Sequence, residues 1–229
     1  MLSDEKILER LTASDASAIV ITPLISAKQL GSASVDLRLG FHFKVLRNMQ
    51  IPVLDPVDRG SPGELAKEIE RYTHDVKLGF CQPFYMHPGQ FALGTTLEYI
   101  RLPRDVAATL DGRSSLGRLG ITVHSTAGFI DPGFRGRITY EMQNEGSSPI
   151  ALYPGMRVAQ LCFFQLDSAA VVPYEAGDAK YSQQLTTTSS RWYTDKDIAL
   201  FRKYKAQLSA KKIEPQKSHG ANGKSQETP

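Results

Sequence analysis

The chain has 229 residues, 41% of them hydrophobic, enough for a real core in one large domain or in one domain with a tail. Its 27 basic and 24 acidic side chains leave a net charge of +3, so no global basic field marks it as a nucleic-acid binder. No apolar run approaches a membrane span, and the charged, amphipathic start MLSDEKILERL has no signal-peptide character, so a soluble cytoplasmic protein is expected.

Ser3 is a good N-cap, with Asp4 and Glu5 behind it and Ile7, Leu8 and Leu11 at helical spacing, which predicts a short N-terminal helix. Residues 34–40, SVDLRLG, alternate Val35, Leu37 and Leu39 against polar positions and predict a strand that residues 41–46 continue. Residues 64–72 predict a small helix with Leu65, Ile69 and Tyr72 on one face. From Phe80 onward, short strands alternate with turns. His87-Pro88-Gly89, Asp131-Pro132-Gly133 and Tyr153-Pro154-Gly155 are the turn devices, with strands expected at 90–95 and 156–165. This pattern, with no βαβ alternation, predicts a mainly β antiparallel sandwich or barrel. Residues 183–190, QQLTTTSS, show no obvious core face. Residues 195–212 predict a helix with Ile198, Phe201, Tyr204 and Leu208 on one face, and 214–229 read as a disordered, basic, solvated tail.

Chemistry concentrates in DGRSSLGRLGITVHSTAGFIDPGFRGRITYE, residues 111–141. Arg113, Ser114, Ser115 and Arg118 place guanidinium and hydroxyl donors within six residues, suited to phosphate oxygens, and Gly112 and Gly117 permit close backbone approach. A polar loop opening a helix, with serine as cap, explains the same residues equally well. Asp131 before its turn has a purely local reading, a bond to its own backbone. Glu141 shares a strand face with Arg137, Thr139 and Gln143, opposite Ile138, Tyr140 and Met142. It is either a solvent-facing glutamate or, if that face lines a cleft, a proton shuttle. His124 reads as structural. Cys81 and Cys162 have no metal spacing and are expected as buried free thiols. The chain lacks the His-x-Glu and Pro-Cys-x-x-Cys ligand patterns of zinc-dependent nucleobase deaminases, which excludes that mechanism.

Taken in order, SASVDLRLG, HPGQFALGTTLEYIRLP, the 111–141 block, YPGMRVAQLCFFQL and PYEAGDAKYSQQ closely resemble the dCTP deaminases of the trimeric dUTPase superfamily, from about residue 1 to residue 195. The resemblance implies a distorted antiparallel β-barrel or jelly roll with a few short helices. It spans a domain of residues 1–195 that includes a C-terminal lid, followed by a 196–229 tail. It implies a homotrimer with sites between subunits and no nucleic-acid or membrane partner. Glu141 matches the general base and acid that activates a water against C4 of cytosine, without zinc. Arg113, Ser114, Ser115, Leu116, Gly117 and Arg118 match the phosphate- and water-binding segment. Ser114 and Arg118 join Glu141 and Asp131 as the expected catalytic set. Asp131 matches the acid near the deoxyribose, and Thr139 and Tyr140 match the base-reading segment. Tyr174, Lys180 and Gln184 match the segment that closes on the triphosphate. Magnesium is expected on that triphosphate rather than on residues of the chain, and dTTP is a plausible feedback ligand.

Some family members stop at dUTP, and others continue to dUMP and pyrophosphate. Gly128 and Phe129 stand where deaminase-only members tend to carry His-Arg, and TAGFIDPGF together with Gln160 looks more like the two-step members. Asp131 is common to both groups. The segment QQLTTTSSRWY departs from the family by lacking Gly-Pro after the matching glutamine, and the tail beyond Asp197 is longer than most members need. Two other readings stay open. A dUTPase alone usually has tyrosine where Phe134 stands and needs no glutamate at 141; a non-catalytic nucleotide sensor would not require the base. Discrimination of cytosine from uracil needs polar groups that the wrong base leaves unpaired, which backbone groups at 126–129 and 139–141 could supply.

Overall fold

The computed structural model describes residues 1–46, 53–57, 61–176, 180–181 and 183–213, with backbone alone at 175 and 210–213. The expected disordered tail at 214–229 lies outside the described residues. Helix α1 (Asp4–Thr12) starts where the cap signal places it: the Ser3 hydroxyl accepts from the Lys6 N–H, and Ile7 is buried. Strands β1 (Val20–Thr22) and β2 (Ser34–Leu46) follow. Helix α2 (Pro62–Arg71) opens with a capping box in which Ser61 and Glu64 each donate a backbone N–H to the other's side chain, with Pro62 in the first turn. Next come β3 (Thr73–Lys77), β4 (Phe84–Met86), β5 (Phe91–Thr96), β6 (Tyr99–Arg101) and β7 (Val106–Gly112). The four-residue helix α3 (Ser114–Gly117) leads into β8 (Ile121–Thr122), β9 (Phe129–Ile130), β10 (Arg135–Gly136) and β11 (Thr139–Asn144). Strands β12 (Ile150–Leu152) and β13 (Arg157–Gln165) complete the sheets, and α4 (Lys196–Ile213) lies close to its predicted bounds.

The chain divides into two compact units, one drawn from 1–50 and 68–190, the other from 51–67 and 191–229. In the first, the main sheet runs β8-β11-β5-β2-β13-β7-β9, with β3 on β2; β1-β6-β10 and β12-β4 form two smaller sheets. Every pairing between these strands is antiparallel, so the mainly β, antiparallel architecture holds. The predicted strand at 34–40 runs on to Leu46, with a register shift where it meets β5 between Leu39 and Phe43. Val35, Leu37 and Leu39 are fully buried with Leu161 and Phe163 from β13, and Phe43 stacks on Phe84 with ring centroids 4.4 Å apart. Among the described residues, no helix is long and apolar enough to cross a membrane.

One carboxylate lies inside this core. Glu98, between β5 and β6, is fully buried; its Oε2 accepts from the Arg38 N–H at 2.9 Å and its Oε1 from Gln29 Nε2 at 3.0 Å. Arg38 donates in turn to Gln29 Oε1 and to the Gly155 carbonyl, and its own carbonyl accepts from the Tyr140 hydroxyl at 3.4 Å. Burial raises the Glu98 carboxyl above its ordinary value despite these donors.

Two expectations need correction. Cys81 and Cys162 are free thiols, but Cys81 is exposed and Cys162 half-buried, since a turn carries the first and an outer strand position the second. Within α4, Ile198 is buried, but Phe201, Tyr204 and Leu208 are more than half exposed, so the periodicity marked a helix without marking a core face.

Candidate active site

Strand β11 sets the first group. Ile138, Tyr140 and Met142 turn inward and are buried, while Thr139, Glu141 and Gln143 face the other way, half-exposed, as the two-residue period requires. Burial, reinforced by the charge of Glu98, drives the Tyr140 phenol well above its ordinary value, so it stays neutral. The chain between β8 and β9 bends over Glu141. The Val123 carbonyl accepts from the Glu141 N–H at 3.1 Å, and the Ser125 and Thr126 N–H groups donate to Glu141 Oε2 at 3.2 and 3.4 Å. Among the described residues Oε1 accepts no hydrogen bond, so one carboxylate oxygen is fixed and the other left for a water or ligand. His124 flanks this cradle with its ring against Gly128; its Nδ1 is buried without a partner among the described residues.

The second group surrounds Asp131. Its turn closes through the backbone, the Phe134 N–H donating to the Asp131 carbonyl at 3.2 Å. The carboxylate is exposed and accepts no hydrogen bond among the described residues, so the purely local reading of this acid does not hold. Tyr174 packs on Phe134 at 5.8 Å, and its N–H donates to the Pro132 carbonyl. Burial raises the Tyr174 phenol, a backbone hydrogen bond from Tyr181 pulls it back, and the charge of Asp131 adds to the rise. Further along, the Gln183 N–H donates to the Arg135 carbonyl and the Arg137 N–H to the Gln184 carbonyl, laying 183–184 beside β10. Gly136 permits this: at φ +141°, a Cβ there would stand 3.0 Å from the Gln184 carbonyl oxygen. Thr139 Oγ1 lies 3.2 Å from Gln184 Oε1, and Gln184 Nε2 donates to Thr188 Oγ1. The structure thus joins Thr139 to Gln184 and sets Tyr174 against the turn that follows Asp131, while Lys180 is half-buried nearby in sequence.

The third group is built on β2, β13 and β7. Asp36, Gln160 and Asp111 stand in register across these strands. Leu116, 7% exposed, anchors α3, and Ser114, Ser115, Gly117 and Arg118 are exposed. The serine cap does not form: Arg113 occupies the N-cap position and makes no side-chain capping bond. Among the described residues, the side chains of Ser114, Ser115 and Arg118 make no hydrogen bond or ion pair, so these donors face outward. Past α3, Gly120 and Gly146 meet back to back: a Cβ on Gly120 would lie 2.5 Å from the Gly146 nitrogen, and one on Gly146 2.7 Å from the Leu119 carbonyl oxygen. Strands β5 and β2 stand between β11 and β13 in the sheet, so Glu141 and Gln160 are on non-adjacent strands.

Sequence reasoning missed the Ser125 amide, Asp36 and Arg157. The alternation in SVDLRLG places Asp36 on the polar face, but its partners follow only from register. Among the described residues, no group of three or more His, Cys, Asp or Glu could hold a metal ion.

Residues 1–166 match the model of a family described as dCTP deaminase-like. The chain belongs to this family. A Methanobrevibacter smithii protein named dCTP deaminase, dUMP-forming, is 43% identical over 200 residues, which cover 86% of this chain and 98% of that relative. A Dictyoglomus thermophilum protein of the same name is 46% identical over 200 residues, 85% of this chain and 96% of the relative. A Halorubrum lacusprofundi protein named dCTP deaminase is 44% identical over 201 residues, 86% of this chain and 94% of its own. The crystal structure of 2'-deoxycytidine 5'-triphosphate deaminase from Agrobacterium tumefaciens superposes with a TM-score of 0.52 at 27% identity, over 71% of this chain. This chain spans only 45% of that longer protein. The relatives' alignments leave about a seventh of this chain uncovered.

Proposed function

We propose that the chain is a dCTP deaminase of the dUMP-forming type. It hydrolyses dCTP with one water, releasing ammonia, and then hydrolyses the bound dUTP with a second, releasing pyrophosphate and dUMP. The observation that carries this reading is the Glu141 carboxylate, with Oε2 tied to two backbone amides and Oε1 left for a water. A carboxylate so held can take a proton from water as hydroxide attacks C4 of cytosine, then deliver it to the departing amine. The exposed Ser114, Ser115 and Arg118 and the neighbouring Arg113 supply donors for triphosphate oxygens. Asp131, with no competing hydrogen bond, orients the sugar and the second water. Backbone groups of Thr139 and Tyr140 read the base, Gln160 contributes to the substrate site, and Tyr174, Lys180 and Gln184 close over the nucleotide. Magnesium arrives on the triphosphate as part of the substrate.

In this reading the catalytic part spans 1–195 and works in the cytoplasm as a homotrimer. Outward-facing donors on α3 fit a site completed across a subunit boundary, and dTTP is a feedback ligand. The dUMP-forming relatives and Gly128-Phe129 favour two steps. The Halorubrum relative's plainer name keeps a one-step enzyme as the second reading. Phosphorus NMR of the protein with dCTP and magnesium, with ammonia assayed in parallel, separates them. Ammonia with pyrophosphate is expected; ammonia with intact triphosphate selects the one-step enzyme, and no ammonia overturns both.

A further inference from the structure

A three-residue ionic cluster lies behind α3. Arg157 Nη1 donates to Asp36 Oδ2 at 3.0 Å and to the Lys28 carbonyl at 2.9 Å. On its other oxygen, Asp36 faces Arg113 Nε at 3.8 Å, and Arg113 Nη1 donates to the Arg157 carbonyl at 3.4 Å. The Arg113 N–H is fixed as well, donating to the Val158 carbonyl at 3.2 Å. The Asp36 side chain is 16% exposed, against 32% for Arg113 and 33% for Arg157. The carboxylate is therefore the sheltered member, with an outer guanidinium on each side.

The Arg113 fork is held at two of its nitrogens: Nε faces Asp36 and Nη1 donates to the Arg157 carbonyl. A guanidinium restrained in this way loses less freedom when its remaining N–H groups meet a phosphate. Resting on the reading of α3 as the triphosphate segment, we infer that Asp36 and Arg157 are positioning residues for Arg113. Asp36 sets the plane of the fork, Arg157 sets Asp36, and together they make Arg113 a selective anchor for a nucleoside triphosphate.

Charge and geometry pull in opposite directions here, which makes the inference testable. Simple electrostatics says that removing an acid beside a phosphate site strengthens anion binding, so Asp36→Asn would lower KM for dCTP. Positioning says that it raises KM. We expect Asp36→Asn and Arg157→Gln each to raise KM for dCTP roughly tenfold with kcat little changed, and Asp36→Glu to recover part of the loss. Arg113→Ala should raise KM roughly ten- to hundredfold, and the Asp36→Asn/Arg113→Ala double variant should be no worse than Arg113→Ala alone. Thermal melting run beside the kinetics separates misfolding from misplacement, and Arg157→Gln serves if Asp36→Asn does not fold. Unchanged or lowered KM in melting-competent Asp36→Asn or Arg157→Gln, or additive losses in the double variant, overturns the inference while Arg113 keeps its role. If Arg113→Ala itself leaves KM unchanged, it is the triphosphate reading of α3 that fails, and the positioning role falls with it.

Discussion

Two glutamates in the same unit live in opposite surroundings. Glu98 is fully enclosed, with one oxygen accepting from a backbone amide and the other from Gln29. Glu141 stands half-exposed on β11, with Oε2 tied to two amides and Oε1 unengaged among the described residues. A carboxylate with both oxygens saturated inside the core can organise strands but cannot approach a substrate. One held on a single oxygen at the surface of a sheet is fixed in direction and still has a lone pair to use. The contrast suits Glu98 to structure and Glu141 to the chemistry proposed for it, although both are the same residue type within one fold.

The largest effect that sharpens this contrast is at Glu141. Glu141→Gln should lower the rate of ammonia release by about 10²- to 10⁴-fold while dCTP binding, followed by calorimetry, persists. Normal deamination by this variant would end its assignment as the base. Glu98→Ala should do the reverse. It unpairs the Arg38 N–H and one of the two Gln29 Nε2 hydrogens, the other keeping the Asp36 carbonyl, at a cost of roughly 2–4 kcal/mol in urea unfolding, with kcat of the folded fraction preserved. A smaller loss is expected from Gly136→Ala, about 1–3 kcal/mol, because its positive φ and the nearby Gln184 backbone both oppose a Cβ. Protease cleavage within 180–190 should quicken in this variant if residues 183–184 are displaced from β10.

The smallest effect is in pH. Glu98 has its folded value raised, so its contribution is fully present below the unfolded carboxyl value and is lost as pH rises through the folded one. The melting temperature of the wild type relative to Glu98→Gln should therefore decline on going from about pH 4 upward. Asp105 and Glu70 have lowered values and act oppositely, weakening the fold as pH falls, but both are common to the two proteins and cancel. A difference that grows with pH would mean that Glu98 is stabilised as the anion.

The strands that carry the site were legible wherever a period could develop. Ile138, Tyr140 and Met142 bury as their alternation demands, and SVDLRLG forms the start of β2. Strands β8, β9 and β10 have two residues each, too few for a period, and were invisible in the sequence. The half-exposed face that carries Glu141 could be read from the strand alternation. The cradle of that acid could not, because the donors are main-chain amides of Ser125 and Thr126 that any residue would supply. The exposed stripe on α4 is the opposite failure: Phe201, Tyr204 and Leu208 keep helical spacing yet stay in solvent, since periodicity reports a face without reporting what covers it.

The contact between Gly120 and Gly146 has a consequence for redesign. Each glycine leaves no room for a side chain on the other's loop, and neither can be made smaller to relieve a change at its partner. No single-step compensation exists, so the turn after α3 and the turn after β11 must be exchanged together. A loop graft meant to alter what Arg118 meets would have to carry residues from both segments, or the transplanted turn would arrive without the surface it closes against.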